Sequence, residues 1–460
     1  VVVLALVVVI PFVIHGIELR PARPASPRIV SDLSASTPGV SSTSAAHFTA
    51  APTSTDMPAS TLAAPDPPVR APVPIEPTGL LVYPYLGNTT GTGVVLAWAT
   101  DRSTTGEVRY SLDLSYDRSA EARSRSPAGV QWHFASIEGL APGSRYYYRV
   151  LGDGRFLMPG SVASFHTAPP AQSQRFTFAV VGDSRPAGAD EPASAAAQAV
   201  ASQLCEHRFD FALHLGDAVH SGGICSGRDS SWNQYISAYF ALYGKSLAAV
   251  PFYSCVGNHE LYNGSCGYQA YTDVYHLPPG APSGDEEEYY SFDWGNAHFV
   301  ALDTNQNSRP GSPQYEWLVA DLRSSEQFWK FVFFHHPPYS SGSHGSDLSL
   351  RANLAPVFEA HGVNVVLTAH DHHYERTCPI LNNVCRTPSE GAVVYYVSGG
   401  GGAPVFGVDA EWFTTRAESL HHFLLVELSS CHLTIEGVDA QGTVFDHYQI
   451  DRCTGTAPAP

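Results

Sequence analysis

Apolar residues are spaced in three different ways along this chain. Residues 1–14 form an almost unbroken apolar run. That is too short for the roughly 20 residues a bilayer span needs, so residues 1–19 read as a signal segment or a truncated membrane anchor. Residues 20–77 are rich in Ser, Thr, Ala and Pro. Such a stretch cannot bury enough apolar surface to offset its ordering entropy, which predicts an exported, disordered stalk. Between 78 and 170 the period is two, with strands predicted at 94–98, 106–110, 146–150 and 163–167 and turn residues between them. From 174 to 455 strands alternate with helices: strands at 176–181, 209–215, 331–334, 363–367 and 393–397, helices at 194–205 and 231–243.

Composition then narrows the classes. A chain of 460 residues that is 44% apolar has material for two large domains. With 25 Lys plus Arg against 43 Asp plus Glu, the formal charge is −18. Binding a phosphate backbone needs clustered cations, so no nucleic-acid partner is expected. The eight cysteines contain no Cys-x-x-Cys pair, which disfavours a zinc ribbon, and an exported chain favours disulfides. Cys378 with Cys385 and Cys431 with Cys453 are paired by proximity, while Cys205, Cys225, Cys255 and Cys266 leave three pairings open.

The chemistry lies at the carboxyl end of each apolar run in the second segment. Asp183 ends the first strand; Asp217 and His220 end the second; Asn258 and His259 follow the third; His335 and His336 the fourth; His370 and His372 the fifth. The carboxyl ends of strands form the crevice of an α/β sheet, so residues far apart in sequence can converge there. Oxygen and imidazole donors of these types suit iron, zinc or manganese rather than calcium. Their number exceeds the needs of one ion and predicts a pair, sharing a carboxylate and clamping both oxygens of a phosphoryl displacement.

These residues carry a resemblance. Gly182-Asp183, Gly216-Asp217, Gly257-Asn258-His259-Glu260, Phe334-His335 and His370-Asp371-His372 resemble the ordered motifs of calcineurin-like metallophosphoesterases, and among them the purple acid phosphatases. Segment 140–146 and its closing 165–169 resemble a fibronectin type III domain, with Trp98 on an early strand and Tyr146 at a corner, as purple acid phosphatases carry at their amino end. The resemblance implies an α+β fold: a fibronectin-like β-sandwich over 78–170, then two mixed sheets packed face to face and flanked by helices over 174–455. It also implies two metal ions, iron with zinc, manganese or a second iron, and a metal-bound hydroxide attacking a phosphate ester. Carried over, Asp183 and His372 would hold the first ion, Asn258, His335 and His370 the second, and Asp217 both. His259 would protonate the leaving group, and His344 would contact phosphate.

Two positions depart from that pattern. The purple enzymes have Tyr three residues after the bridging Asp, where this chain has His220, so the purple absorption is expected to be absent. Other metallophosphoesterases have His two residues after the first Asp, where Arg185 stands. A guanidinium has no lone pair for a metal, so His220 is expected to bind the first ion and Arg185 to face the phosphate. Phosphodiester or nucleotide hydrolysis on the same site is the nearest alternative. Val181-Gly182-Asp183-Ser184 also resembles the nucleophile block of GDSL serine esterases, and a non-catalytic surface module is a third reading. His336, Asp371 and His373 adjoin ligands and are candidates for orienting them. Tyr262, Tyr339 and Trp232 are candidates for pocket lining or core. The glycines at 399–402 are expected in a tight loop beside the site, and the amino-terminal sandwich is expected to act as a spacer or lid.

Overall fold

The computed structural model describes residues 79–158, 160–280 and 288–453. The signal, anchor and stalk expectations for 1–77 fall outside them. Among the described residues no helix is long and apolar enough to cross a membrane.

The first region is built of two antiparallel sheets. One runs Leu80–Gly87, Gly93–Thr100, Gln131–Glu138 and Arg123–Arg125 in spatial order. The other runs Arg118–Glu121, Gly106–Ser111, Arg145–Gly152 and Arg155–Phe156, with Ala163–His166 also paired to Arg145–Gly152. Alternation sends Leu96, Trp98, Val108, Tyr146, Tyr148, Val150 and Phe165 into the space between the sheets, where all are buried. Tyr146 turns the predicted corner, its hydroxyl accepting from Ala141 N at 3.0 Å. His133 is a satisfied core histidine, 2.9 Å from Thr100 Oγ1 and 2.8 Å from Ser124 Oγ.

The opposite face of the first sheet is also covered. Val82, Tyr85, Ala97, Ala99 and Trp132 join the core of the second region, and Tyr85 Oη donates to Val274 O at 2.6 Å. Tyr253 Oη and Tyr148 Oη complete the seam, donating to Thr89 O and Ala248 O. These contacts fall on the Tyr235–Leu247 helical segment, the neighbouring strand and the helix Gly267–Tyr275, none of which carries a predicted metal donor. The sandwich is therefore a buttress behind the second region, not the spacer or lid expected.

The second region packs a six-stranded sheet on a seven-stranded one. The six run Phe252–Ser254, Phe211–His214, Arg175–Val181, His422–Ser429, His432–Asp439 and Val444–Asp451, the first three parallel. The seven run Tyr290–Trp294, Ala297–Ala301, Trp329–Phe333, Val365–Thr368, Val394–Ser398, Tyr374–Thr377 and Thr414–Glu418, with a parallel centre. Buried on both faces, the central strands read as continuous apolar runs. Phe178 meets Phe211 at 5.1 Å and Phe299 at 5.2 Å, and Phe299 stacks on Phe331 at 4.9 Å, a fully buried aromatic layer between the sheets. Truncating one of these rings to alanine would cost about 3–5 kcal/mol.

Helices cover the outer faces and start at side-chain caps. Ser194 accepts from Ala197 N ahead of Ala195–Glu206, Ser312 precedes Pro313–Ser324 with Pro313 in its first turn, and Asp347 caps Leu348–Ala360. Three disulfides close loops, Cys225–Cys266, Cys378–Cys385 and Cys431–Cys453. Both proximity pairs form. The expectation that all eight cysteines pair does not hold, since Cys205 is exposed and unpaired and Cys255 lies buried in the core.

Candidate metal centre

All the parallel strands deliver their carboxyl ends to one crevice, and the backbone there is bent to aim side chains into it. Asp183, Asp217 and His370 have φ of 55°, 58° and 68°. Non-glycine residues rarely adopt this left-handed region, and such strain concentrates at functional sites. Gly257 lets the turn after Phe252–Ser254 approach closely, because a Cβ there would collide with Asp217 Oδ1. In the loop at 399–402, a Cβ on Gly399 would press on Asp183 Oδ2 and the Asp371 carbonyl, so the tight loop beside the site is as expected.

Asn258 Oδ1 lies 3.0 Å from both His335 Nε2 and His370 Nδ1, which are 3.3 Å from each other. Asp217 Oδ1 is 3.4 Å from His335 Nε2. Asp183 Oδ1 is 3.3 Å from His372 Nε2, and its Oδ2 accepts from His370 N at 2.9 Å. Donor atoms of Asp183, Asp217 and His335 all lie within 4.8 Å of one another, as do those of His335, His336 and His370. His220 stands outside both groups. Its ring is 5.4 Å from that of His259, and its Nδ1 is buried without a hydrogen-bond partner.

Hydrogen bonds on the far side of the His335, His372 and His259 rings set which nitrogen faces inward. His335 Nδ1 donates to Leu215 O at 2.8 Å and His372 Nδ1 to Pro404 O at 2.7 Å, leaving each Nε2 toward the cluster. His259 Nδ1 donates to His220 O at 2.6 Å, which turns its Nε2 to within 3.9 Å of Asp217 Oδ2. Arg185 Nε lies 3.5 Å from the same oxygen. His344 is half-exposed at the rim, its ring 4.4 Å from that of His370 and its Nδ1 3.0 Å from Asp371 Oδ1.

Charge states reflect this packing. Burial opposes ionisation of Asp217, yet His335, His259 and the His259 N–H hold its carboxyl well below the usual range. Burial likewise opposes protonation of His335, but Asp217 outweighs it and raises the imidazole. Burial, then the neighbouring His335, His336 and His344, pushes His370 down to about 2, so it stays neutral with its lone pair available. Asp183 raises His372 against its burial.

The residues fit a metal pair. An ionised carboxylate lies among inward-turned imidazole nitrogens, beside Asp183 Oδ1, a buried oxygen without a hydrogen-bond partner. Burying a carboxylate oxygen this way is costly unless something outside the chain completes it.

Two supporting residues, Glu260 and Phe406, had no part assigned from the sequence. Glu260, named there only as the last member of its motif, is buried and accepts from Asp217 N, Ala218 N and Gly257 N at 2.9, 2.8 and 2.7 Å, tying two donor loops together. Phe406 stacks on His372 at 4.3 Å, and nothing in its local sequence signals this. Asp371 carries the 340–345 loop, accepting from Ser340 Oγ and the N–H groups of His344 and Gly345. His336 pairs with Thr304 Oγ1 at 2.8 Å and His373 with Glu375 at 3.3 Å. Ser184 is fully buried against His214 Nε2 at 3.0 Å, and His214 Nδ1 meets no partner. A nucleophile without surface, on a histidine lacking a carboxylate, does not fit the serine esterase reading.

Comparison with known proteins finds relatives of both regions. Residues 176–374 match the calcineurin-like phosphoesterase family and residues 81–178 the purple acid phosphatase N-terminal domain. Purple acid phosphatase 18 of Arabidopsis thaliana is 26% identical over 362 residues, covering 73% of this chain and 76% of the relative. Probable inactive purple acid phosphatase 1 of the same plant is 25% identical over 367 residues, covering 70% of this chain. The chain spans only 57% of the length of that second relative. The structure of a purple acid phosphatase from yellow lupin seeds superposes with a TM-score of 0.70 at 21% identity, covering 80% of this chain and 74% of that one, and so shares the fold. The chain carries a calcineurin-like phosphoesterase domain, preceded by a purple acid phosphatase N-terminal domain.

Proposed function

We propose that this protein is an exported, dinuclear metal-dependent phosphatase that hydrolyses phosphate monoesters. The observation that carries the reading is the convergence of Asp183, Asp217, Asn258, His335, His370 and His372 from five strand ends, with the imidazoles of His335 and His372 turned inward by carbonyl acceptors. Asp183 and His372 would hold one ion, completed by His220, and Asn258, His335 and His370 the other, with Asp217 shared. Iron paired with zinc, manganese or a second iron matches the donor types. Bound there, two cations supply Lewis acidity towards the phosphoryl oxygens.

The chain's own residues supply the rest. Arg185 brings a guanidinium to the side of the centre occupied by Asp217 Oδ2, where it can orient two phosphoryl oxygens. His344, its Nδ1 held by Asp371, leaves Nε2 free at the rim. His259 presents Nε2 on the same side as Arg185 and can deliver a proton to the departing oxygen when Nε2 as well as Nδ1 is protonated, a state its burial opposes and the Asp217 carboxylate favours. Three cation-forming side chains around one small site suit a doubly charged monoester. Three disulfides support an oxidising compartment. Three relatives carry "inactive" in their names, whereas this chain keeps a full donor set once His220 is counted.

The test is one preparation of the full chain, with bound metals measured by elemental analysis and p-nitrophenyl phosphate compared with bis-p-nitrophenyl phosphate, with and without chelator. About two metal equivalents and chelator-sensitive monoester cleavage are expected. Preference for the diester would make the protein a phosphodiesterase, and neither metal nor hydrolysis would reject catalysis.

A further inference from the structure

Three aromatic residues near the motifs are candidates for lining the site, and the structure separates them. Tyr339 is fully buried, with the Arg351 guanidinium 4.1 Å over its ring and its hydroxyl donating to Asn383. Trp232 is buried and donates to Asp273 Oδ2 at 3.2 Å. Tyr262 is different, 51% exposed, with its ring 5.5 Å from the ring of His259.

The backbone under Tyr262 is fixed from two sides. Its N–H bonds to His259 O, ending the turn Asn258–Leu261, and its carbonyl accepts from Gly223 N at 2.8 Å. Gly222 N also bonds His259 O, Cys266 N bonds Gly223 O, and the Cys225–Cys266 disulfide staples the same two loops. A large flat ring is thus held in solvent beside the proposed proton donor on a backbone with little freedom to lose. Exposed aromatics on rigid supports are efficient contact surfaces, since little entropy opposes their use.

We infer that Tyr262 is a specificity-determining residue that stacks against the leaving group and selects aryl phosphate monoesters over alkyl ones. The inference rests on the phosphatase reading, with His259 on the leaving-group side. Reach selects the aryl class. With the two rings 5.5 Å apart, a ring bonded directly to an ester oxygen at His259 Nε2 can come within the 4.5–7 Å centroid range of aromatic pairs with Tyr262. An alkyl group offers no π-face there.

The experiment measures kcat/KM for phenyl phosphate and for 2-glycerol phosphate in the full-length metal-loaded protein, Tyr262→Ala and Tyr262→Phe. Taking each variant relative to wild type cancels the intrinsic difference between the leaving groups. The aryl-to-alkyl ratio is expected to fall about fivefold in Tyr262→Ala, from the usual strength of aromatic pairs, and to be kept in Tyr262→Phe. Calorimetric binding of phenylphosphonate against methylphosphonate reads the same preference without turnover, and Tyr262→Ala is expected to lose it by the same factor. An equal loss on both substrates, or a ratio moved by less than about twofold with an unmoved phosphonate preference, overturns the inference. A wild-type protein that cleaves neither ester fails the phosphatase reading itself, before Tyr262 is altered.

Discussion

The two sides of the metal centre differ in how much of their geometry the chain completes unaided. On the side of Asn258, His335 and His370, three donor atoms already lie 3.0–3.3 Å apart, and Leu215 O anchors the ring of His335 from behind. On the other side, Asp183 Oδ1 and His220 Nδ1 are buried without hydrogen-bond partners, and Arg185 Nε also lacks one. The first side is assembled by the protein's own hydrogen bonds. The second is left with polar atoms that cost free energy until something outside the chain satisfies them. Both patterns suit a bound ion; on the second side Asp183 Oδ1 and Arg185 Nε keep only ion-pair contacts, to His372 Nε2 at 3.3 Å and Asp217 Oδ2 at 3.5 Å, and His220 Nδ1 has no hydrogen bond.

Removing the residue the two sides share tests them together and has the largest expected effect. Asp217→Asn keeps the shape and removes the charge. Both metal equivalents are expected to fall in elemental analysis, with turnover lower by about a thousandfold or more, the rate equivalent of about 4 kcal/mol. Retention of two ions would break the assignment of Asp217 as the shared carboxylate. His220→Ala separates the sides: one metal equivalent is expected to stay and one to be lost, with activity down on the order of a hundredfold. Two full equivalents in that variant would remove His220 from the open side.

A histidine outside the centre supplies the contrast. His298 is buried, with Nδ1 2.7 Å from Asp293 Oδ1 and Nε2 2.8 Å from Asp321 Oδ2, so both nitrogens are satisfied within the chain. Burial works against its charge, but the two carboxylates raise it from 6.5 to about 9. A raised folded-state value means its stabilisation is full below pH 6.5 and is lost as pH rises through about 9. His298→Gln should lower the melting temperature below pH 6.5 by the equivalent of about 1–2 kcal/mol, discounted because Asp293 is half-exposed, and flatten the decline toward pH 9. Chelator should leave this difference unchanged, because no metal donor touches His298. Chelator dependence would mean that the two kinds of histidine are coupled.

Asp183, Asp217, Asn258, His335, His370 and His372 were legible because each comes after an apolar run long enough to read as a strand, and strand ends share one edge of a sheet. The two short disulfides were legible because chain proximity alone makes their closure easy. Glu260 was not, since a motif's last letter does not show that its carboxylate will gather three N–H groups, two of them from a loop more than 40 residues away. Phe406 sits in a loop with no period, and its contact with His372 exists only once both loops have folded. The buttressing role of the sandwich was hidden for a related reason. Strand alternation tells that Tyr85 and Trp132 face away from the sandwich interior, but not which surface will cover them.

What the sequence determined by itself was local and periodic: the strands and helices, the donor types, and their positions relative to each apolar run. Backbone hydrogen bonding and side-chain period act over a few residues, so these survive reading in one dimension. Tertiary structure decided the rest. Which imidazole nitrogen faces inward depends on Leu215 and Pro404 carbonyls brought from other loops. Which aromatic stays in solvent, and which buried oxygen lacks a partner, depends on how two sheets and a buttressing sandwich close around one crevice. Those are properties of packing, where contacts between distant residues exist only in the folded chain.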